Sequence, residues 1–222
     1  MNYDIASFRG DSNIGIFFKT SDKITLVPKN LDEKTKEKIE KKLRTEIVEA
    51  SIWDSSLLGI YTVMNSYGII LPKTIFDNEI SLFKALDLNV AILDSDYNAL
   101  GNLIVCNDNF AIVSPMIGKE HLREIKDTLN VEVEVRKILN NNLVGSMAYV
   151  TNKGILFNRN IREEEAQEIA EKFKVKNYGA GSINMGNVYV SIGIIANSYG
   201  LIAGEKSSPY EIQIALESLG LL

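Results

Sequence analysis

Cysteine and histidine are almost missing from this chain, with one of each, Cys106 and His121, in 222 residues. A single thiol excludes an intramolecular disulfide framework and fits a reducing compartment. One Cys and one His also fall short of the four ligands, mostly Cys or His, of a structural zinc site. No metal and no cofactor are expected. Long apolar runs are missing too: the longest nearly unbroken one, Val188 to Ala196, is about half of what a membrane-spanning helix needs. The first residues, Met1-Asn2-Tyr3-Asp4, form neither a basic nor an apolar segment, so the expectation is a cytoplasmic protein without a secretory signal. Positive charge is in deficit, 24 Lys and Arg against 29 Asp and Glu, for a net −5. Nucleic-acid binding draws on counterion release at clustered Lys and Arg. An acidic chain suits that poorly and is drawn to basic protein surface instead.

Proline is scarce at 4 residues, and no low-complexity stretch interrupts the chain, so one domain without a linker is expected. What the sequence does contain is repetition. Ser56-Leu-Leu-Gly59 leads to Asn65-Ser-Tyr-Gly68, Asn98-Ala-Leu-Gly101 to Asn107-Asp-Asn-Phe110, and Asn142-Leu-Val-Gly145 to Thr151-Asn-Lys-Gly154. Val188-Tyr-Val-Ser191 leads to Asn197-Ser-Tyr-Gly200, and a divergent copy starts at Ser12-Asn-Ile-Gly15. The anchors Gly15, Gly59, Gly101, Gly145 and Ser191 stand 44, 42, 44 and 46 residues apart. Near-constant spacing over five copies marks a repeat architecture.

Each anchor begins an apolar run, a polar turn follows, and a second apolar run follows the turn, which reads as a β-hairpin. A helix comes next. Leu122, Ile125 and Leu129 recur at helical spacing, as do Ala166, Ile169, Ala170 and Phe173. The fifth helix is announced by a capping box with proline, Ser208-Pro-Tyr-Glu211. A third strand then closes each unit: Glu46 to Ser51, Asn89 to Asp94, Val131 to Arg136 and Val175 to Tyr178. The fifth copy lacks one, and Tyr3 to Ser7 holds the corresponding offset before Gly15. A strand supplied from the other end of the chain implies repeats that close on themselves, removing free edges. The expected units span about 9–51, 52–94, 95–138, 139–178 and 179–222, with strand 3–7 completing the last. Gly179, Gly181 and Gly186 mark the segment from Tyr178 to Asn187 as the loosest.

Few residues offer chemistry. Cys106 ends the apolar run Asn102-Leu-Ile-Val-Cys106 and reads as a small packed hydrophobe. His121 lies near the start of a charged helix and is expected on its wet face. The sequence holds no phosphate-binding glycine loop, His-Glu-x-x-His or Gly-x-Ser-x-Gly, and no catalytic residue is assigned. Gly59, Gly101 and Gly145 fit a close backbone approach or a bulge at a narrow interior. Asn65, Asn107 and Asn197 are natural turn residues. They also place polar amides on what would be a common rim of hairpin turns, and rigid rims serve as docking faces. Asn65, Asn98, Asn102 and Asn107 are the candidate binding residues.

The copies around Leu100-Gly101-Asn102, Cys106-Asn107-Asp108, Leu143-Val144-Gly145-Ser146, Val150-Thr151-Asn152-Lys153-Gly154 and Ala196-Asn197-Ser198 resemble those of the translation initiation factor 6 family. So do Ser55-Ser56-Leu57-Leu58-Gly59 and Tyr67-Gly68-Ile69-Ile70-Leu71-Pro72, and the similarity runs from about Phe8 to Leu222. The resemblance implies an α/β pentein fold, a five-bladed pseudosymmetric propeller. It also implies a monomer that binds the large ribosomal subunit, mainly through basic ribosomal protein, and blocks its association with the small one. Roles in subunit maturation, and release by a GTPase with an accessory maturation protein, come with it. The chain stops after the fifth helix, like archaeal members. The alternative is a guanidine-modifying pentein enzyme with a Cys nucleophile and a His base. Those enzymes keep the cysteine near the C-terminus, whereas Cys106 is mid-chain.

Overall fold

The computed structural model describes residues 2–222. The chain enters through strand β1 (Tyr3–Ala6), which waits for its partner at the far end. It then builds β2 (Lys19–Thr20), β3 (Ile24–Pro28), helix α1 (Glu33–Leu43) and β4 (Glu46–Ala50). The same order returns as β5 (Val63–Met64), β6 (Gly68–Pro72), α2 (Asp77–Lys84) and β7 (Asn89–Leu93). A third round is β8 (Ile104–Cys106), β9 (Phe110–Val113), α3 (Leu122–Leu129) and β10 (Glu132–Val135). The fourth is β11 (Ala148–Val150), β12 (Gly154–Asn158), α4 (Glu163–Lys172) and β13 (Asn177–Gly181). Strands β14 (Ile194–Ala196) and β15 (Leu201–Gly204) and helix α5 (Pro209–Ser218) end the chain.

These strands form five sheets of three. In each, a short hairpin pairs the first two strands antiparallel, and in the first four the helix carries the chain across to a third strand parallel to the second, as a parallel pair requires. The middle strands are buried along their whole length in four of the five sheets, which explains their continuous apolar runs. In the fifth round β1 supplies the third strand. Tyr3 pairs with Leu201 and Ala6 with Gly204, in parallel, as the N-terminal offset predicts.

Each hydrophobic cluster joins two consecutive rounds. Leu26 and Val48 pack with Ile69 and Phe83, Val63 and Ile70 with Leu100 and Leu129, and Val105 and Ile112 with Val144 and Phe173. Leu156 packs with Val190 and Leu219. The fifth cluster closes the cycle, setting Ile195 and Ile202 of the last round against Phe8, Ile14, Phe18 and Ile39 of the first.

The anchors do not begin strands, as the sequence suggests, but sit in one-turn helices ahead of them: Ile14–Ile16, Leu58–Tyr61, Leu100–Leu103, Val144–Met147 and Val190–Ile192. The reason is contact between rounds. A Cβ on Gly59 would collide with the carbonyl oxygen of Gly15, one on Gly101 with that of Gly59, one on Gly145 with that of Gly101, and one on Gly15 with that of Ser191. The helical turns therefore meet backbone to backbone around the centre, which only glycine permits at four of the five places. A second difference concerns the fourth third strand, Asn177–Gly181 rather than Val175 to Tyr178. Gly179 and Gly181 belong inside it because α5 lies so close that a side chain would strike Ser218 or Ile214.

Candidate interaction surface and axial cavity

The strand directions give the molecule two ends. All hairpin turns lie at one, here the hairpin end. The helical turns, the helix N-termini and the loops after the third strands lie at the other, the tip end.

At the hairpin end the five turn positions are Ser21, Asn65, Asn107, Thr151 and Asn197. The Oδ1 atoms of Asn65, Asn107 and Asn197 accept from backbone N–H groups two and three residues on. Their Nδ2 atoms reach the next round. Asn65 donates to the carbonyls of Asn107 and Leu129, Asn107 to those of Thr151 and Phe173, and Asn197 to those of Ser21 and Leu43. Asn65 and Asn107 are only 3% and 4% exposed, with both ends of each amide engaged inside the chain. Ser21 and Thr151 cap their own turns through hydroxyls too short to reach further. One step outward, Asn152 donates to both Asp22 and Asp108, and Asp22 also accepts from Ser198.

The four candidate asparagines therefore do not form one patch. Asn102 sits in a helical turn, lining the axial cavity and accepting from Ser146 Oγ at 3.2 Å. Asn98 stands just before that turn, its Oδ1 buried without a partner among the described residues. Both lie at the tip end, separated from Asn65 and Asn107 by the length of the innermost strands.

The tip end holds what the sequence reading missed. Four loops there close through single antiparallel bridges, Phe8 with Asp11, Ile52 with Ser55, Ile138 with Asn141 and Ile183 with Asn187. Their central residues adopt left-handed backbone: Arg9 and Gly10, Trp53 and Asp54, Leu139 and Asn140, Asn184, Met185 and Gly186. Left-handed Trp, Leu and Met are uncommon and cost about 1–2 kcal/mol each. Carboxylates hold three of these loops there, Glu79 and Glu211 buried and Glu165 half-buried. Glu79 accepts from the N–H groups of Trp53 at 2.7 Å, Asp54 at 3.0 Å and Phe76 at 3.2 Å, and from Ser51 Oγ at 2.6 Å. Glu211 does the same for Met185, Gly186, Ser182 and Ser208, and Glu165 accepts from Leu139 N–H. The loop from Tyr178 to Asn187, expected to be loose, is thus partly strand and partly latched. Trp53 and Met185 project outward, 54% and 80% exposed, with Phe76, Tyr97, Tyr189 and Tyr210 exposed at the same end. Gly10, Asp54, Asn140 and Gly186, residue types that tolerate left-handed backbone, are the sequence signal for these turns.

Burial pushes the Glu79 carboxyl up, but the donors from Ser51, Asp54, Trp53 and Phe76 outweigh it and hold the pKa below its ordinary 4.5. A depressed carboxylate contributes stability that is complete above the unfolded value and lost as pH falls through the folded one. Glu79→Gln, which sets an amide donor against those donors, should cost about 3 kcal/mol. The single tryptophan, Trp53, reports it: in the wild type its fluorescence should hold steady to below pH 4.5, whereas in Glu79→Gln it should be altered already at neutral pH. Identical spectra in the two proteins would remove the latch.

Cys106 and His121 do not form a pair. The thiol is half-buried beside the axial cavity, 3.6 Å from the Met64 carbonyl. Burial, opposed in part by Lys19, pushes its pKa up to about 12. His121 ends a short turn, Lys119–His121, ahead of α3, and its side chain is 15% exposed, so it is not on the wet face expected. Its Nε2 lies 3.7 Å from the Glu120 carboxylate. Cys106→Ala should cost at most about 1–2 kcal/mol, and native Cys106 should resist alkylation at neutral pH because the thiolate is the reactive form. Rapid labelling of the folded protein would contradict this.

Among the described residues, no group of three or more His, Cys, Asp or Glu is placed to hold a metal, and no helix is long and apolar enough to cross a membrane. The profile of the eIF-6 family matches residues 4–217. The chain belongs to the eIF-6 family. It is 39% identical over 221 residues to translation initiation factor 6 of Methanocaldococcus jannaschii, covering 97% of this chain and 96% of that protein. To the factor of Pyrobaculum arsenaticum it is 36% identical over 220 residues, covering 98% and 100%. To that of Pyrococcus abyssi it is 37% identical over 228 residues, the whole of both. These relatives span the full cycle of eIF-6 repeats, so the tip turns and the hairpin turns both fall inside the similarity.

Proposed function

We propose that this eIF-6 family member acts in translation initiation as a ribosome anti-association factor, binding the large subunit through its tip end so that the small subunit cannot join. In this reading the cyclic packing of five α/β units is the five-bladed pentein propeller, a single rigid domain that works as a cytoplasmic monomer without catalysis. The single observation that carries the choice of face is the set of strained, latched turns presenting Trp53 and Met185 outward. Backbone strain held by buried groups gathers where function needs a fixed shape. Exposed Trp, Tyr and Met are also the side chains that anchor protein interfaces. Asn98 and Asn102 go with this face, while Asn65 and Asn107 serve the fold. The net charge of −5 favours basic ribosomal protein over RNA phosphate as the surface met. A GTPase with an accessory maturation protein would release the factor, and the same occupancy serves large-subunit maturation.

Co-sedimentation with isolated large subunits tests the face. Trp53→Ala should cost about 2 kcal/mol of affinity, roughly 30-fold, as expected of a central aromatic anchor. Tyr67→Ala, exposed at the hairpin end, should bind like wild type. If Tyr67→Ala loses binding and Trp53→Ala keeps it, the face is the wrong one.

A further inference from the structure

The innermost strands and the helical turns surround a small axial cavity of about 50 Å³, and among the described residues its one charged lining residue is Lys19. No carboxylate lines it. Lys19 lies on β2, two residues before the hairpin turn, and its ammonium makes no hydrogen bond or ion pair with any described residue. The nearest acids in the chain's own hairpin turns, Asp22 and Asp108, are engaged elsewhere, by Asn152, Ser198 and the Ser66 N–H. Two further donors line the same space without a partner among the described residues, Asn102 Nδ2 and Ser191 Oγ. The fifth anchor is the one where the glycine pattern breaks, and the break places a hydroxyl in the cavity. Tyr149, by contrast, is fully engaged, accepting from Ala196 N–H at 2.8 Å and donating to its carbonyl at 3.0 Å.

Lys19 is half-buried, and an ammonium drawn even partly out of water without a counter-charge is costly. A chain can relieve that cost by losing the proton or by admitting an anion. Here the surroundings favour the second route, because the other free groups are hydrogen-bond donors. A monoatomic ion would meet one of them. An anion with several oxygens can take Lys19, Asn102 and Ser191 together.

We propose that the axial cavity is a binding site for a small inorganic oxyanion of the phosphate class, held by Lys19 with Asn102 and Ser191. Occupancy would neutralise the core of the ring and tie the first, third and fifth rounds through one ligand. Burial also lowers the Lys19 pKa, with Cys106 opposing it, and an anion would restore the charged form. This inference does not depend on the ribosomal reading.

The test uses the full chain, exchanged into phosphate-free buffer and titrated with inorganic phosphate against chloride at constant ionic strength. Wild type should melt about 2–4 °C higher once phosphate exceeds its Kd about five-fold, by mass action on a domain of this size. Lys19→Met and Lys19→Gln should fold, melt at or above the phosphate-free wild type, and show no phosphate-dependent rise. Asn102→Ala should need several-fold more phosphate for the same shift. If phosphate raises Lys19→Met and wild type equally, the effect is general ion exclusion and the site does not exist. No rise in wild type would overturn it as well.

Discussion

Gly101→Ala should melt far below the wild type although it adds one methyl group. Its Cβ would land inside the carbonyl of Gly59, itself held in a helical turn against Gly15. Neither neighbour is a flexible side chain that can swing away. The turn must move, and moving it disturbs the next contact in the cycle, where Gly145 abuts the Gly101 carbonyl. Overpacking a rigid core costs about 1–3 kcal/mol and occasionally more, and the coupling around the ring places this variant at or above the top of that range. Gly10→Ala is the comparison. Gly10 has φ near 80° with nothing around its missing Cβ, so only the left-handed penalty of about 1–2 kcal/mol applies. Thermal melts of the two variants, side by side, separate crowding from backbone strain. Equal losses would mean that the central contacts are looser than the fold requires.

Removing residues 2–8 should be equally damaging, for a different reason. Strand β1 pairs along its length with Leu201–Gly204 and leaves that strand an open edge when removed. Asn2 also accepts from Leu201 N–H and donates to the Leu221 carbonyl. Phe8, 5% exposed, packs against Phe17 and Phe18 at ring separations of 4.9 and 6.0 Å. Losing one buried Phe costs about 3–5 kcal/mol, before the ladder is counted. For a domain of this size that lowers Tm by roughly 6–20 °C. A truncated chain melting with the wild type would show that the first and last rounds do not depend on each other.

The period, the order of elements within each round and the N-terminal strand were legible because each rests on local pattern. Apolar runs, turn residues and the capping box at Ser208 repeat at nearly fixed spacing. The helical turns were not legible. Leu58-Gly-Ile-Tyr61 and Ile104-Val-Cys106 are both short apolar stretches, and what sets the first apart is its packing against a carbonyl from another round, 44 residues away in sequence. The shift of β13 to include Gly179 and Gly181 has the same origin in the approach of α5. Asparagine misled for a related reason. An amide at a turn can face solvent or reach a neighbour, and Asn65 and Asn107 reach the carbonyls of the next round. Nothing within their own repeat distinguishes the two. The carboxylate latches were hidden in the same way, since Glu79 and Glu211 read as ordinary N-terminal helix acids until the loops of the preceding round are folded over them.

Occupancy of the large subunit by this chain should prevent subunit joining. Purified large and small subunits mixed under joining conditions, followed by light scattering, give the measurement. Pre-incubation of large subunits with wild type should lower the joined fraction in proportion to occupancy, reaching near-complete inhibition at saturation, and Trp53→Ala should need roughly 30-fold more protein for the same effect. Large subunits saturated with the wild-type chain that still join small subunits at the uninhibited rate and extent would contradict it.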